Sequence, residues 1–394
     1  MSAFYDQASL VVVPSGYKSG KIYAQKPLTT DGQLTFTRAS TATRVNASGL
    51  IETVASGVPR LDYTGSTCPK LLLEPQRTNL FTYSQELDNA AWAKYNLSVT
   101  ANATTAPDGT NSADKIFCNV TGSAVPLINQ QPNYPNTTST VSGYFKKAEY
   151  NFVVIHAFGI AGTVFNLNTG VVVSGTGTIT AAGNGWYRCT ALLSIGSNTQ
   201  TFFTPSVDGS VGYTGTSGSG IFAWGVQAEE SVSYATSYIP TTSAAVTRLA
   251  EGPINLGGAQ TLNNFTLFFD GLLLQNSDNM LFGSGSSAWY MDIDASNGRV
   301  VLDLASGRKY SAFSSLTSGQ YFKLAMKRTA GVVEAFVNGV KLTPSTQVTD
   351  TTALSLSSIF WGFSSSYYPK MKVNQTLAFQ TALTDTQLTE LTTL

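Results

Sequence analysis

Along most of this chain apolar and polar residues alternate at every second position, and the alternation is broken by Gly, Asn, Ser and Pro. A period of two places successive side chains on opposite faces of a strand, so the pattern predicts antiparallel sheets; helical periodicity is almost absent. In 289–294, Trp289, Met291 and Ile293 share one face and Tyr290, Asp292 and Asp294 the other. Asn297-Gly298 follows, and then Val300, Leu302 and Leu304 alternate with Arg299, Val301 and Asp303. Asn-Gly accepts the positive φ angles of a type I′ turn, which predicts a hairpin. A second hairpin is predicted where 321–328 alternates and 333–337 turns at Asn338-Gly339 into 340–342. Near the end, Thr384 and Gln387 fit a capping box and Leu383 with Leu388 a hydrophobic staple. Leu391 continues that apolar face, so a short helix is expected to close the last sandwich.

The middle of the chain has the same character. Phe152, Val154, His156 and Phe158 line one face of a strand, 165–170 reads as strand then turn into 171–173, and 186–195 and 221–227 are further strands. Short strands at this spacing predict a second sandwich, with Pro240-Thr241-Thr242-Ser243 as the linker between the two. The first eighty residues differ. The segments 17–23, 34–37 and 50–54 are short, poorly periodic and separated by Gly and Pro, with too few apolar residues to close a core. The predicted fold class is therefore all-β: an extended N-terminal attachment segment (1–80), an antiparallel β-sandwich (81–247), which the resemblance given below makes a jelly roll, and a further antiparallel β-sandwich (248–394). The first segment is expected to pack on another copy or on a larger particle.

Composition narrows the function classes. Of 394 residues 42% are hydrophobic, enough for real cores, but only 12% are charged. Solubility must then come from Ser, Thr, Asn, Gln and Gly, a surface suited to assembly or to neutral polar ligands such as glycans. Lys plus Arg equals Asp plus Glu at 23 each, and no basic stripe or polybasic run occurs, which argues against nucleic acid and membrane surfaces. Apolar runs such as 10–13 are too short to span a bilayer, and the opening residues lack the basic and apolar regions of a secretory signal. Synthesis in a reducing cytoplasm is expected, and Asn-x-Ser/Thr triplets such as those at Asn46 and Asn96 then carry no weight. Cys68, Cys118 and Cys189 are odd in number and lack metal spacing, which predicts buried thiols; Cys189 alternates with Tyr187, Ala191 and Leu193 and should face a core.

Stretches in three regions of the chain carry a resemblance. Residues 36–52 (FTRASTATRVNASGLIE), 59–63 (PRLDY) and 71–80 (LLLEPQRTNL) look like a motif of phage virion appendage proteins. The opening FYDQASL at 4–10 with VPSGYK at 13–18 resembles those of phages infecting Bacteroidetes, including crAss-like phages, where similar proteins are head or tail fibres. Residues 165–170, 183–188 (GNGWYR), 224–230 (WGVQAEE), 236–242 (TSYIPTT) and 245–248 (AVTR) are similar to that family's carbohydrate-binding-module-type jelly roll. Residues 328–342 and 376–388 are similar to concanavalin A-like, laminin-G-like domains. The resemblance implies a structural bacteriophage virion protein on the particle surface, a homotrimer contacting other capsid or tail proteins, anchored by its N-terminus and displaying sandwiches that adhere to host or mucosal glycans. The alternative readings are a decoration or joint protein without sugar binding and a polysaccharide depolymerase.

The chemistry-bearing residues favour binding over catalysis. The single histidine, His156, sits in an alternating apolar strand and reads as a structural residue. No nucleophile elbow, P-loop, zinc spacing or dinucleotide fingerprint occurs. Depolymerases need paired carboxylates across a groove; Asp292 with Asp294 on one strand face reads as a solvated face, and Glu229-Glu230 lies at a strand end. No enzyme activity and no resident cofactor are expected. Calcium is the one metal considered, with Asp292, Asp294, Asn297 and Asp208 as candidate oxygen donors. Trp186 and Trp224 fall in strand motifs and should be packed inside, whereas Tyr367 and Tyr368, after Ser364-Ser365-Ser366 and before Pro369, are the candidate sugar-stacking residues.

Overall fold

The computed structural model describes the chain except residues 1, 15–19, 29–31, 135–136, 197–198, 231–232, 276–278, 285–287, 295–296, 315 and 361–367. The described residues are almost wholly antiparallel β, with two short helices. No helix among them is long and apolar enough to cross a membrane. They form two units: residues 1–41, 54–76 and 249–394 make the first, and 42–53 with 77–248 the second.

In the first unit a ten-stranded and a seven-stranded sheet enclose one core. Phe265–Leu273, Tyr321–Thr329 and Met371–Phe379 lie centrally in the larger sheet, and Asn279–Gly283, Trp289–Asp294 and Arg299–Leu304 centrally in the smaller. The period-two pattern is what fills the core: Phe265, Leu267 and Phe269 from one sheet pack with Trp289, Met291, Ile293, Val300 and Leu302 from the other. The C-terminal helix (Asp385–Thr392) has the expected capping box, and Leu383, Leu388 and Leu391 bury on the outer face of the larger sheet with Phe268, Phe336 and Phe379. A second helix, Ser2–Gln7, was not legible in the sequence. Six residues are too few to be helical without tertiary support, which Phe4 finds in that same outer cluster.

The opening eighty residues are extended, but they are not a separate segment. Leu10–Val12 pairs with Thr376–Ala378 and Lys70–Leu73 with Met371–Val373, so both lie along Met371–Phe379 opposite its Phe265–Leu273 neighbour. Leu10, Val12, Ile22, Leu34, Leu71 and Leu73 join the main core. Strands too short to close a core of their own are stabilised by completing one that lacks an edge, each buried aliphatic side chain contributing about 1.5–3 kcal/mol. The expected boundaries at 80/81 and 247/248 are correspondingly replaced by 76/77 and 248/249, with 42–53 exchanged into the second unit.

The motif residues of this region build a buried ion network. Glu251 Oε1 meets Arg38 Nη1 at 3.2 Å and Arg60 Nη2 at 2.7 Å, and Arg60 Nη1 meets Glu74 Oε2 at 2.8 Å. Glu251 Oε2 also accepts from the Glu74 backbone N–H at 2.9 Å. The two carboxylates hold the Arg60 guanidinium charged despite its burial.

Of the two Asn-Gly sites only one is a two-residue turn. Asn338 (φ 50°) and Gly339 (φ 82°) join Val337 to Val340 as type I′ requires. At 297–298 only Gly298 is left-handed, and the last cross-strand pair is Asp294 with Arg299, so the connection there is longer.

The second unit is built on two six-stranded sheets around their own core, with shorter two-stranded pairs beside them. Val153, Ile155 and Phe203 of one sheet face Phe145, Cys189, Ala191 and Ile221 of the other. Trp186 and Trp224 are buried as expected, in a second cluster with Tyr144, Tyr238, Ala106 and Ala113 that is joined by Ile51 and Val45 of the exchanged hairpin. Cys118 and Cys189 are buried free thiols; Cys68 is free but exposed, contrary to expectation, on the turn after Leu61–Asp62.

Candidate functional site

Of the two candidate tyrosines, Tyr367 lies outside the described residues, and Tyr368 is half-buried ahead of the buried Pro369 and Lys370. Of the candidate oxygen donors, Asp292 and Asp294 lie on the face of the seven-stranded sheet opposite Trp289, Met291 and Ile293. Asp292 and Asp294 are only 4% and 8% exposed, so they do not form the solvated face expected of them. The reason is position: Asp292 lies between Met280 and Val301 of the adjoining strands, in the interior of the sheet, where neighbours on both sides exclude water.

Around them the same face collects groups of both signs. Arg308 donates to Asp303 through Nε (2.9 Å to Oδ1) and Nη2 (3.0 Å to Oδ2), a two-pronged contact that, with Asp292 and Asp294 nearby, holds the guanidinium charged. Burial, and then the charges of Asp303 and Asp292, push the Tyr290 phenol well above its usual range, so it remains a hydrogen-bond donor. Arg299 caps the ring of Phe313 at 4.6 Å, and that ring is 59% exposed. Asn297 turns its amide nitrogen toward Asp294, donating at 2.9 and 3.0 Å to its two oxygens, and so offers that carboxylate a donor rather than a further ligand oxygen. Among the described residues no three His, Cys, Asp or Glu side chains converge as a metal site would need. Asp208, in the second unit, accepts from the Ser210 backbone at 2.8 Å and from Ser206 Oγ at 3.3 Å, which lowers its pKa and orders a turn.

The remaining candidates are structural in their surroundings. His156 stacks on Phe202 with centroids 4.9 Å apart, and its Nε2 pairs with Thr204 Oγ1 at 3.0 Å. Burial pushes its pKa down to about 4, leaving a neutral imidazole. Glu229 is fully buried and accepts from Gln227 Nε2 at 2.7 Å and from the Thr236 backbone at 3.0 Å; burial raises its pKa, while Glu230 is exposed. The two adjacent acids thus point apart. Trp186 and Trp224 donate their indole N–H groups inward, to Thr105 O and Ser112 Oγ. Sequence reasoning missed the exposed aromatics Tyr95 (61%), Phe158 (73%) and Phe313. Each stands at a strand end or next to a turn, a signal that period-two alternation hides.

No protein-family model matches this sequence, and no curated protein matches it. Among solved structures the chain is similar to a native heptameric SAP-like pentraxin from Limulus polyphemus (16% identity, 34% of this chain and 70% of that one, TM-score 0.29). It is also similar to a carbohydrate-binding module of the Ruminococcus gnavus IT-sialidase bound to α2,3-sialyllactose (15%, 34% and 84%, TM-score 0.29). A third is domain 4 of a GH43 extracellular arabinanase from Geobacillus stearothermophilus in complex with arabinotriose (17%, 41% and 82%, TM-score 0.31). Likenesses of this size pass no binding property from these proteins to this chain.

Proposed function

We propose that this chain is a non-enzymatic structural subunit of a bacteriophage particle, a head or tail fibre whose sandwiches adhere to host or mucosal glycans. The virion part rests on the sequence resemblance over 4–80 and the middle motifs, together with a surface made soluble by neutral polar residues. The short N-terminal strands are used within the chain's own sandwich, so we place anchoring on the folded units rather than on a free arm.

The observation that carries the adhesive part is the outer face of the seven-stranded sheet. Arg299 lies against the exposed Phe313 ring, and Tyr290 and the Asp303–Arg308 pair lie farther along the same strands, so one face carries an aromatic surface and fixed polar groups. That is the combination a hydroxyl-rich ring uses: C–H groups on the aromatic, hydroxyls on the fixed polar groups. The full chain, rather than residues 81–394, is the material for the test, because truncation at 80 removes strands from both units. Binding on a glycan array that falls at least about tenfold in Phe313→Ala supports the site. Glycan binding indifferent to that change would remove it, and absence of any glycan binding would leave the decoration or joint reading. Release of reducing ends from host polysaccharide by the full chain would overturn the non-enzymatic assignment, and immunogold labelling of particles tests the virion location.

A further inference from the structure

We infer that the second unit pairs with a second copy of this chain through the edge strand Gly177–Ala181, extending one six-stranded sheet across a two-fold axis. The inference is independent of the virion and glycan readings.

Residues 157–187 hold no charged side chain, and they supply the strands that end both sheets on this side of the unit, Val171–Ser174 and Gly177–Ala181. Exposed sheet edges invite another strand, and monomeric proteins blunt them with bulges, charges, proline or brevity. Three of the four edges of the two six-stranded sheets are blunted in this way. Leu97–Thr104 has a register shift with Asn102 left-handed, Ala93–Tyr95 is three residues long with Lys94 at its centre, and Val171–Ser174 has a register shift against its neighbour. Gly177–Ala181 pairs with Trp186–Ile195 in unbroken register and has neither charge nor proline.

Its open side can be read from the hydrogen bonds. Thr176 O accepts from Leu192 N and Ala182 N donates to Trp186 O, so the even-numbered residues face the neighbouring strand. The N–H and C=O groups of Gly177, Ile179 and Ala181 therefore point outward. What satisfies such a row is a strand, and the sequence is complementary to itself. Antiparallel pairing centred on Ile179 lets Ile179 exchange both backbone bonds with its own copy and Gly177 exchange with Ala181 of the second copy. Thr178 then lies opposite the second copy's Thr180, a favourable cross-strand pair, and both threonines are exposed. Ile179 stays packed against its own core, so association needs no rearrangement. A two-fold contact of this kind is isologous and differs from the three-fold assembly that the sequence resemblance implies.

The test is sedimentation of the full chain over the micromolar range. The expected result is a dimer that Thr178→Lys with Thr180→Lys weakens by roughly tenfold or more, because each lysine meets a lysine of the second copy. Thr178→Lys with Thr180→Glu sets opposite charges across the axis and should restore the dimer. Both variants alter exposed side chains only, and circular dichroism checks that they fold. A monomeric wild type, a trimer unaffected by these changes, or equal behaviour of the two variants would overturn the inference.

Discussion

Replacing Glu251 by Gln removes one charge from a site that holds two guanidiniums and two carboxylates with no access to solvent. In the native protein the four charges cancel. In the variant Arg38 and Arg60 share the single carboxylate of Glu74, and one positive charge is left uncompensated where water cannot reach it. Breaking a buried pair in this way costs about 3–5 kcal/mol, far more than the same change at the surface. Arg38 keeps its bonds to the Ser40, Val58 and Ala55 carbonyls, which should hold the loss near the lower end. Because the charges are buried, added salt should rescue little of it. Native-state hydrogen exchange reads the effect unit by unit: amides of Phe265–Leu273 and Met371–Phe379 should lose about 3 kcal/mol of protection, while those of Thr137–Lys147 should change by less than about 0.5 kcal/mol. Glu334→Gln, in a partly exposed network with Lys327 and Lys341, serves as the surface control and should cost at most about 1 kcal/mol. A loss below about 1 kcal/mol for Glu251→Gln, or one spread equally over both units, would refute the assignment of the network as the staple of the first unit.

Three further outcomes follow from the same physics. His156 is the chain's one imidazole, so its NMR titration is unambiguous and should show a midpoint near 4 rather than 6.5. Its folded value lies below the unfolded one, so its stabilising contribution is intact above about pH 6.5 and is eroded, by at most about 3 kcal/mol, as pH falls toward 4. Asp114 has the opposite sign: burial raises it to about 6 although Leu87 N (2.7 Å) and Asn102 N (2.9 Å) donate to it. Its contribution is greatest below about pH 4 and declines as pH rises through 6, and a carboxyl carbon titrating near 4 instead would contradict the burial argument. Thr384→Ala removes the cap of the last helix and should cost about 1 kcal/mol, visible as faster exchange confined to Asp385–Thr392 and the strands beneath it.

The sequence by itself determined what depends on neighbours a few residues apart. The faces of the strands at 289–294, 299–304 and 321–328, the left-handed pair at Asn338-Gly339 and the reciprocal bonds of Thr384 with Gln387 are local and were legible. So were the burial of Trp186 and Trp224 and the orientation of Cys189. At 152–158, by contrast, it is Val153, Ile155 and Ala157 that face the core and Phe158 that is exposed. Tertiary structure decided which edges meet. Leu10–Val12 finds its partner in Thr376–Ala378 at the other end of the chain, and Arg38, Arg60, Glu74 and Glu251 converge from four separate segments. It also decided that Asp292 lies between Met280 and Val301 inside a sheet. An alternating pattern states that a strand has one apolar face; it carries no information on the strand beside it, because backbone pairing is the same for nearly every sequence. The ownership of the first eighty residues, and with it the boundary of each unit, was therefore set by which core lacked an edge.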